Sequence, residues 1–279
     1  MSGKKVVSKV QKPSLKPKPV AEDVTQRQKS FKDYLNVFEF DYKLPGSGEI
    51  LKIKPITIGA LKGFLTLDGE VDPVKVTGMF DDLFSEVVLT PDFDPSKMYV
   101  YDRYALLLEI RKITKGEKNQ FEMTCPECKG QSIQTIDFSK IVSKKRKPDI
   151  NHFVELTEHL SVKLRFLTRE LEMEVYETSA HVKEEEQLSE AQANTELSLM
   201  LEAQSIEEII TPEGPQKLDF PLFDKKYLLE NIPQPLYEKL NKWHEDNHFG
   251  PDLSVEIKCS HCDFKMSEDI TDLNLNFFS

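Results

Sequence analysis

The chain has 279 residues, of which 39% are hydrophobic, enough for a folded protein with a buried core. No segment approaches the roughly 18 apolar residues that a membrane-spanning helix requires. The first residues also contain no hydrophobic stretch of signal-peptide length. The composition therefore predicts a protein that is made in the cytoplasm and does not span a membrane.

The charge of the chain is divided unevenly between its first residues and the remainder. Residues 1–32 carry nine basic side chains against Glu22 and Asp23, a balance of +7, with three prolines interspersed. Because the whole chain carries −11, residues 33–279 carry −18. Proline and like-charge repulsion favour a disordered basic arm over 1–32. The acidic remainder disfavours nucleic-acid binding by the folded part.

The segment that follows the arm has the pattern of a hairpin and three helices. Apolar residues near 37–40 and 50–53 predict two strands, which flank a turn at Pro45–Gly48. Thr57 is a suitable N-cap for a helix, and Pro73 is a favoured first residue for the next one. A third helix is expected from near Asp102 to Lys115. The predicted apolar stripes of the first two helices are Ile58, Leu61, Phe64, Leu65 and Val76, Phe80, Leu83, Phe84, Val87.

The second half of the chain has a mixed pattern. Strands are predicted through residues 133–138 and in a hairpin over 154–166, and the basic run 144–147 is expected to be an exposed connection. A long helical stretch is predicted from Thr168 to about Ile210, with a potential break in the polar residues 184–187. Two short helices follow at 223–229 and 235–243. Strands return at 255–257 and from Ile270 to Phe278.

The four cysteines occur as two CxxC pairs, Cys125 with Cys128 and Cys259 with Cys262. When the two segments are compared with an offset of 134 residues, the cysteines coincide and apolar strand positions match on both sides. Each segment is therefore predicted to be a strand, a tight turn and a second strand. Gly130 is expected to help the first turn close, whereas Phe264 occupies the equivalent place in the second turn.

Two such turns facing each other would supply four thiolates in a tetrahedron, which suits one structural Zn²⁺ per chain. The cysteine pairs are much farther apart in sequence than the 15–20 residues typical of compact zinc ribbons. A Cys₄ iron–sulfur cluster, free thiols and a dithiol redox pair remain alternatives. A redox CxxC normally begins a helix, and neither pair is followed by a convincing helix. His261, inside the second pair, is interpreted as a turn residue.

The rest of the chain shows no motif that indicates catalysis. Phosphate-binding glycine loops, nucleophile elbows, HExxH motifs and paired catalytic carboxylates are all absent from the sequence. Acidic runs such as 184–186 are most simply a solvated helix face. The sequence therefore predicts a protein that is not an enzyme and binds no small-molecule substrate.

The order of these segments resembles the baseplate hub subunit and assembly family of T-even-type contractile-tailed bacteriophages, over roughly residues 36–279. The strongest similarity is the segment from Phe121 to Cys128 followed by Ile136-Asp137-Phe138. The other matching segments are Leu44-Pro45, Pro55-Ile56-Thr57, Tyr101-Asp102-Arg103, Leu107 to Arg111, Lys115-Gly116, Leu229 to Pro233, His248-Phe249-Gly250, Cys259 to Cys262 and Asn276-Phe277-Phe278.

The resemblance implies a non-enzymatic part of the virion tail baseplate, or a factor for assembling its hub, with other baseplate or tail proteins as partners. We expect an α+β fold in which a strand layer from both chain ends is closed by a split, zinc-ribbon-like site. The expected parts are a disordered arm (1–32), an N-terminal α+β part with the first CxxC (33–145), a mainly helical insertion (146–253), and C-terminal strands (254–279) packing with 119–138. The alternative functions are a zinc-ribbon nucleic-acid-binding or transcription-accessory protein and, after it, a dithiol oxidoreductase.

Overall fold

The computed structural model describes residues 38–65 and 73–269. The predicted arm at 1–32 and the predicted strand residues from Ile270 onward lie outside these ranges. Within them the protein combines helices with antiparallel sheets, most of which have two strands. The predicted α+β class is therefore confirmed.

The N-terminal part is a hairpin packed against three helices. Strands β1 (Phe40–Lys43) and β2 (Ile50–Ile53) pair antiparallel, and helices α1 (Ile58–Leu65), α2 (Pro73–Val87) and α3 (Val100–Lys115) follow. Thr57 caps α1 as predicted, because its Oγ1 accepts the N–H of Ala60 at 3.2 Å. Ile58, predicted to face the core, is instead 78% exposed. The buried core comprises Leu44, Leu51, Ile53, Ile56, Leu83, Phe84, Val87, Val88, Met98, Leu106, Leu107 and Ile110.

A buried aspartate fixes the turn between β1 and β2 onto α3. The Asp102 carboxylate is fully buried and accepts the N–H groups of Gly46 at 2.6 Å and Ser47 at 2.9 Å. A Cβ at position 46 would lie 2.2 Å from a ring carbon of Phe249, so only glycine fits there. The Pro45–Gly48 turn is thus held by a side chain from the third helix.

Two strands, β3 (Lys118–Thr124) and β4 (Gln131–Asp137), form a hairpin around the first CxxC. The short strand β5 (Ser143–Lys144) ends at the first residue of the basic run 144–147. The run is mostly exposed, as expected, but two of its members also have partners in the fold. Arg146 donates to the Tyr99 hydroxyl at 3.0 Å and lies over its ring, and Lys147 donates to the carbonyl of Asp246.

The middle of the chain contains the largest sheet among the described residues together with four helices. Its strands β6 (Phe153–Thr157), β7 (Leu160–Leu164), β8 (Ile206–Thr211) and β9 (Gly214–Pro215) are adjacent in that order. Helices α4 (Arg169–Glu186) and α5 (Glu190–Ser205) separate β7 from β8, and α6 (Pro221–Asn231) and α7 (Gln234–Asn247) follow. This sheet lies within 146–253, which the sequence predicted to be mainly helical.

The long predicted helix is wrong at its C-terminal end. The helix is interrupted at Gln187, which adopts a left-handed conformation. The polar residues 184–187 indicated a break at this place. The second helix, however, ends at Ser205, and residues 206–211 form β8 rather than continuing to Ile210. Buried Ile206 and Ile209 are β-branched residues that pack in the sheet core, and β8 pairs with β7 along its length.

A buried ionic network joins the N-terminal helices to α4. Asp81 on α2 pairs with Arg103 on α3 and, at 3.1 Å, with Arg169 at the start of α4; Arg169 also pairs with Glu172 at 2.9 Å. Both guanidinium side chains are at least 94% buried. Because both cations have carboxylate partners, the network fixes the position of α4 without leaving a lone buried charge.

The described chain ends in a second hairpin. Strand β10 (Gly250–Pro251) pairs with β5, and β11 (Ser254–Lys258) pairs with β12 (Lys265–Asp269) around the second CxxC. The β3–β4 and β11–β12 hairpins are separate two-stranded sheets rather than one continuous strand layer. No helix among the described residues has both the length and the hydropathy needed to cross a bilayer.

Candidate metal centre

The two CxxC turns each lie between paired strands, as the 134-residue offset predicted, and they are closed in a similar way. In the first turn the N–H of Cys125 donates to the carbonyl of Gly130 at 3.0 Å. In the second turn the N–H of Cys259 donates to the carbonyl of Phe264, also at 3.0 Å. Gly130 and Phe264 are equivalent positions under the offset. Each turn therefore has one equivalent backbone hydrogen bond across the cysteine pair. The first turn differs in one respect, since Lys129 adopts a left-handed conformation and its N–H donates to the carbonyl of Cys125 at 3.0 Å.

The two turns bring all four sulfur atoms together. The Sγ atoms of Cys125 and Cys262 are 3.8 Å apart, and those of Cys128 and Cys259 are 3.7 Å apart. All four sulfurs lie within 4.8 Å of one another. The close pairs each join one turn to the other, so the cluster is shared between the two hairpins. Among the described residues, this is the one group of three or more Cys, His or carboxylate side chains that could hold a metal ion.

The two contacts between sulfurs of opposite turns fit the edge of a tetrahedral metal site. Four thiolates placed about 2.3 Å from a central zinc would be about 3.8 Å from one another, since that is the edge of the tetrahedron. The observed 3.7 and 3.8 Å contacts match that edge and are far longer than the roughly 2 Å of a disulfide bond. The donor set is therefore compatible with Zn²⁺, and Cys125, Cys128, Cys259 and Cys262 are the residues that would hold it.

The electrostatics of the cluster favour a bound cation. The N–H of His261 donates to the Cys259 sulfur at 3.3 Å, and this bond is the main reason that the pKa of Cys259 is lowered to about 6. The N–H of Phe264 acts in the same direction on Cys262, but burial and the neighbouring sulfurs outweigh it and raise the pKa of Cys262 to about 12. Four adjacent sulfurs cannot all be ionised unless a positive charge lies between them.

His261 connects the two turns. Its backbone lies in the second turn, as expected, but its ring crosses to the first turn, where Nε2 lies 2.7 Å from the carbonyl oxygen of Gln131. A Cβ at Gly130 would lie only 2.7 Å from the His261 ring. Glycine at this position therefore makes room for the opposite turn. The sequence indicated that Gly130 helps its own turn to close, but it contained no sign of this contact.

Two further contacts support the cluster away from the sulfurs. Gln134 of β4 donates through Nε2 to the carbonyl of Lys258 on β11 at 3.2 Å. Arg111 on α3 donates to the carbonyls of Gly116 at 2.8 Å and Lys118 at 3.2 Å, and so fixes the start of β3. Neither contact was indicated by the sequence: Gln134 belongs to no recognisable motif, and Arg111 was matched only as part of the segment from Leu107 to Arg111.

A small apolar cluster joins the two hairpins at the ends opposite the cysteines. Its buried members are Leu108, Ile136 and Phe138, and Val255 of β11 packs against them. Arg111 lies over the Phe138 ring at 5.2 Å. The hairpins are thus held at one end by apolar packing and at the other by the sulfur cluster, so that both cysteine turns have a defined relative position.

The other histidines lie away from this centre. His152 and His244 pack on Trp243 in the aromatic part of the second core, and His248 packs on Tyr101. Burial lowers the pKa values of His244 and His248. His159 pairs with Glu158 on the surface, and His181 is exposed on α4. These five histidines therefore take part in aromatic packing or lie on the surface, and none belongs to the cysteine cluster.

Comparison with known proteins identifies the family. The family model described as T4 bacteriophage base plate protein matches residues 36–279. The chain belongs to this family. The match includes both hairpins and all four cysteines, and excludes only residues 1–35. No curated protein and no solved structure matches the chain.

Membership in the base plate family gives the general function. The protein is a structural component of a phage tail baseplate. It is located in the virion tail baseplate, and its partners are other baseplate proteins. This agrees with the resemblance found in the sequence, at the level of the baseplate. The nucleic-acid-binding alternative is not favoured, since the family is a baseplate family and two residues of the basic run have structural partners.

Proposed function

We propose that the protein is a non-enzymatic subunit or assembly factor of the baseplate hub, and that one Zn²⁺ at the four cysteines gives it a fixed shape. The supporting observation is the convergence of two distant CxxC turns on one cluster of four sulfurs. The family match supports the baseplate role, and the hub is our narrower proposal. The proposed partners are other hub or tail proteins that dock on its exposed faces.

The metal would act as a structural clip between distant parts of the chain. Closing a loop of more than 100 residues restricts the unfolded chain strongly, and binding to a site that exists only when folded adds to folding stability. We propose that this clip ties the segment 146–253 to the two hairpins, with 254–279 packing on 119–138. Such a subunit would keep its shape during the mechanical change that accompanies tail contraction.

Alternative uses of the cysteines predict different chemistry. A Cys₄ iron–sulfur cluster would need the same four ligands and would give iron and visible absorbance. A dithiol oxidoreductase requires a reactive pair at a helix N-terminus, whereas both CxxC pairs here lie in turns between strands. This location favours the structural clip over redox catalysis.

The proposal is tested by complementation and composition of assembled particles. A phage that lacks this gene product should fail to complete its baseplate, and the protein supplied in trans should restore it. Cys259→Ser should reduce restoration, whereas Ser260→Ala, in the same turn but without a ligand atom, should not. Complete baseplates in the absence of the protein would contradict the assembly role.

A further inference from the structure

A groove with a volume of about 350 Å³ lies between β4 and β11, beside the cysteine hairpins. We call it the inter-hairpin groove. Residues 134–137 of β4 form one side and residues 254–257 of β11 form the other. Phe121, Ile141 and Val142 add apolar surface to the lining.

The lining pattern shows that the groove follows the edges of these strands. Successive side chains of a strand point to opposite faces of a sheet, so a groove on one face is lined by every second residue. Here four consecutive residues of each strand line the groove. Within the described part of the chain, β4 pairs only with β3 and β11 only with β12. Among residues 38–65 and 73–269, each strand therefore has no strand partner on the edge that faces the groove.

Unpaired strand edges are templates for another strand. They display backbone N–H and C=O groups, and an extended peptide can satisfy these groups by adding a strand. The Gln134 side chain joins β4 to β11 near the cysteines. The groove therefore continues away from this bond, towards Asp137 and Ser254 at the other ends of the strands.

The lining also indicates the chemistry of the added strand. Val142 is 65% exposed and offers an apolar contact without a partner in the core. The charged lining residues are three carboxylates, Asp137, Asp252 and Glu256, and one lysine, Lys140. Lys140 is near Asp137 and Lys265 pairs with Glu256. Among the described residues Asp252 has no lysine or arginine within ion-pair distance, and the basic groups near it are the more distant Lys144 and His248. Hydrogen bonds from Ser254 lower the pKa of Asp252, which keeps it ionised.

We propose that the inter-hairpin groove binds an extended segment of another baseplate protein by strand addition, and that this segment has apolar residues at alternate positions and basic residues at its ends. The proposal deepens the docking role stated above and rests on it. The added strand would bridge β4 and β11, and its apolar side chains would cover Val142. The basic residue at one of its ends would lie near Asp252.

The test uses the zinc-loaded full chain and a labelled probe peptide, Lys-Val-Thr-Val-Thr-Val-Lys with blocked ends. Fluorescence anisotropy should show saturable binding below ~1 mM, the range of a weak docking contact. Amide hydrogen exchange should slow at residues 134–137 and 254–257. A peptide with proline at its central position should not bind, because proline removes an N–H and disfavours strand pairing. A peptide with glutamate ends should bind more weakly.

Two matched variants locate the binding site. Val142→Glu should weaken binding about tenfold or more, because the added strand would bury a carboxylate. Ile133→Glu makes the same change at an exposed residue of β4 outside the groove, and should bind like the wild type. Absence of binding, equal binding of the proline peptide, or equal affinity of Val142→Glu would each overturn the proposal. The baseplate role is tested separately, by incorporation of the wild-type protein into baseplates. Incorporation without peptide binding would contradict only the groove proposal, whereas failed incorporation would contradict the baseplate role.

Discussion

The contact between Gly130 and His261 predicts a specific coupling between the two cysteine turns. In Gly130→Ala, the new Cβ would lie 2.7 Å from Cδ2 and 3.0 Å from Cγ of His261. The ring would have to move, and its hydrogen bond to the Gln131 carbonyl would be lost. Overpacking of this kind costs about 1–3 kcal/mol, and the hydrogen bond contributes about 1 kcal/mol. We therefore expect Gly130→Ala to lower the free energy of unfolding by about 2–4 kcal/mol.

A double-mutant cycle separates this contact from a general effect of the substitution. His261→Ala alone should cost about 1 kcal/mol, since it removes the hydrogen bond. The double variant should cost less than the sum of the single variants by about 2–4 kcal/mol, because alanine at 261 removes the clash and the lost hydrogen bond is counted in both single variants. Urea unfolding of the four metal-loaded proteins measures this coupling.

A glycine outside the site provides the control. Gly78 lies within α2, and a Cβ there would meet no atom within 4 Å. Gly78→Ala should therefore leave the protein equally stable or up to about 1 kcal/mol more stable, as helix propensity predicts. Additive effects of Gly130→Ala and His261→Ala would refute the proposed contact between the turns.

Three further predictions concern the scaffold that supports the site. Asp102→Ala should lower the free energy of unfolding by about 2–4 kcal/mol in urea titration, because the buried N–H of Gly46 and the partly buried N–H of Ser47 lose their acceptor. A loss below about 0.5 kcal/mol would contradict this. Burial lowers the pKa of His244, so its contribution to stability is present above the unfolded value of about 6.5 and is lost as the pH falls through the folded value. His244→Gln should therefore lose less stability than the wild type between pH 7 and pH 5, and an unchanged slope would exclude this assignment. Glu172→Gln should destabilise the protein by about 1–3 kcal/mol, because the buried Arg169 loses a charged partner, whereas Glu170→Gln on the exposed face of α4 should have little effect.

The sequence predicted local features well because they depend on nearby residues. The Thr57 cap, the break near Gln187 and the two CxxC turns each follow from the chemistry of a few adjacent positions. The offset between the cysteine segments predicted that both pairs lie in turns between strands, although the two turns differ at Lys129. The end of the helix at Ser205 was not predictable in this way, because residues 206–210 have an apolar pattern that suits either a helix or a strand. Pairing with β7, more than 40 residues earlier, selects the strand.

Contacts between distant segments account for what the sequence did not indicate. The His261 ring lies against Gly130 and Gln131, which are about 130 residues away in the chain. Arg111 is one of many basic residues in the sequence, and only the fold shows that it fixes the start of β3. Gly130 and Phe264 differ at equivalent positions, but this difference did not indicate which residue lies against Gly130.

The most direct test of the proposed clip is elemental analysis of the protein purified without added metal. We predict about one zinc per chain in the wild type, loss of this zinc in Cys259→Ser, and a matching fall in thermal stability after treatment with a strong chelator. Ser260→Ala should retain both the metal and the stability. Iron in place of zinc would identify a cluster at the same cysteines. No metal in the wild type, or unchanged metal content and stability in Cys259→Ser, would contradict the claim that a structural metal joins the two hairpins.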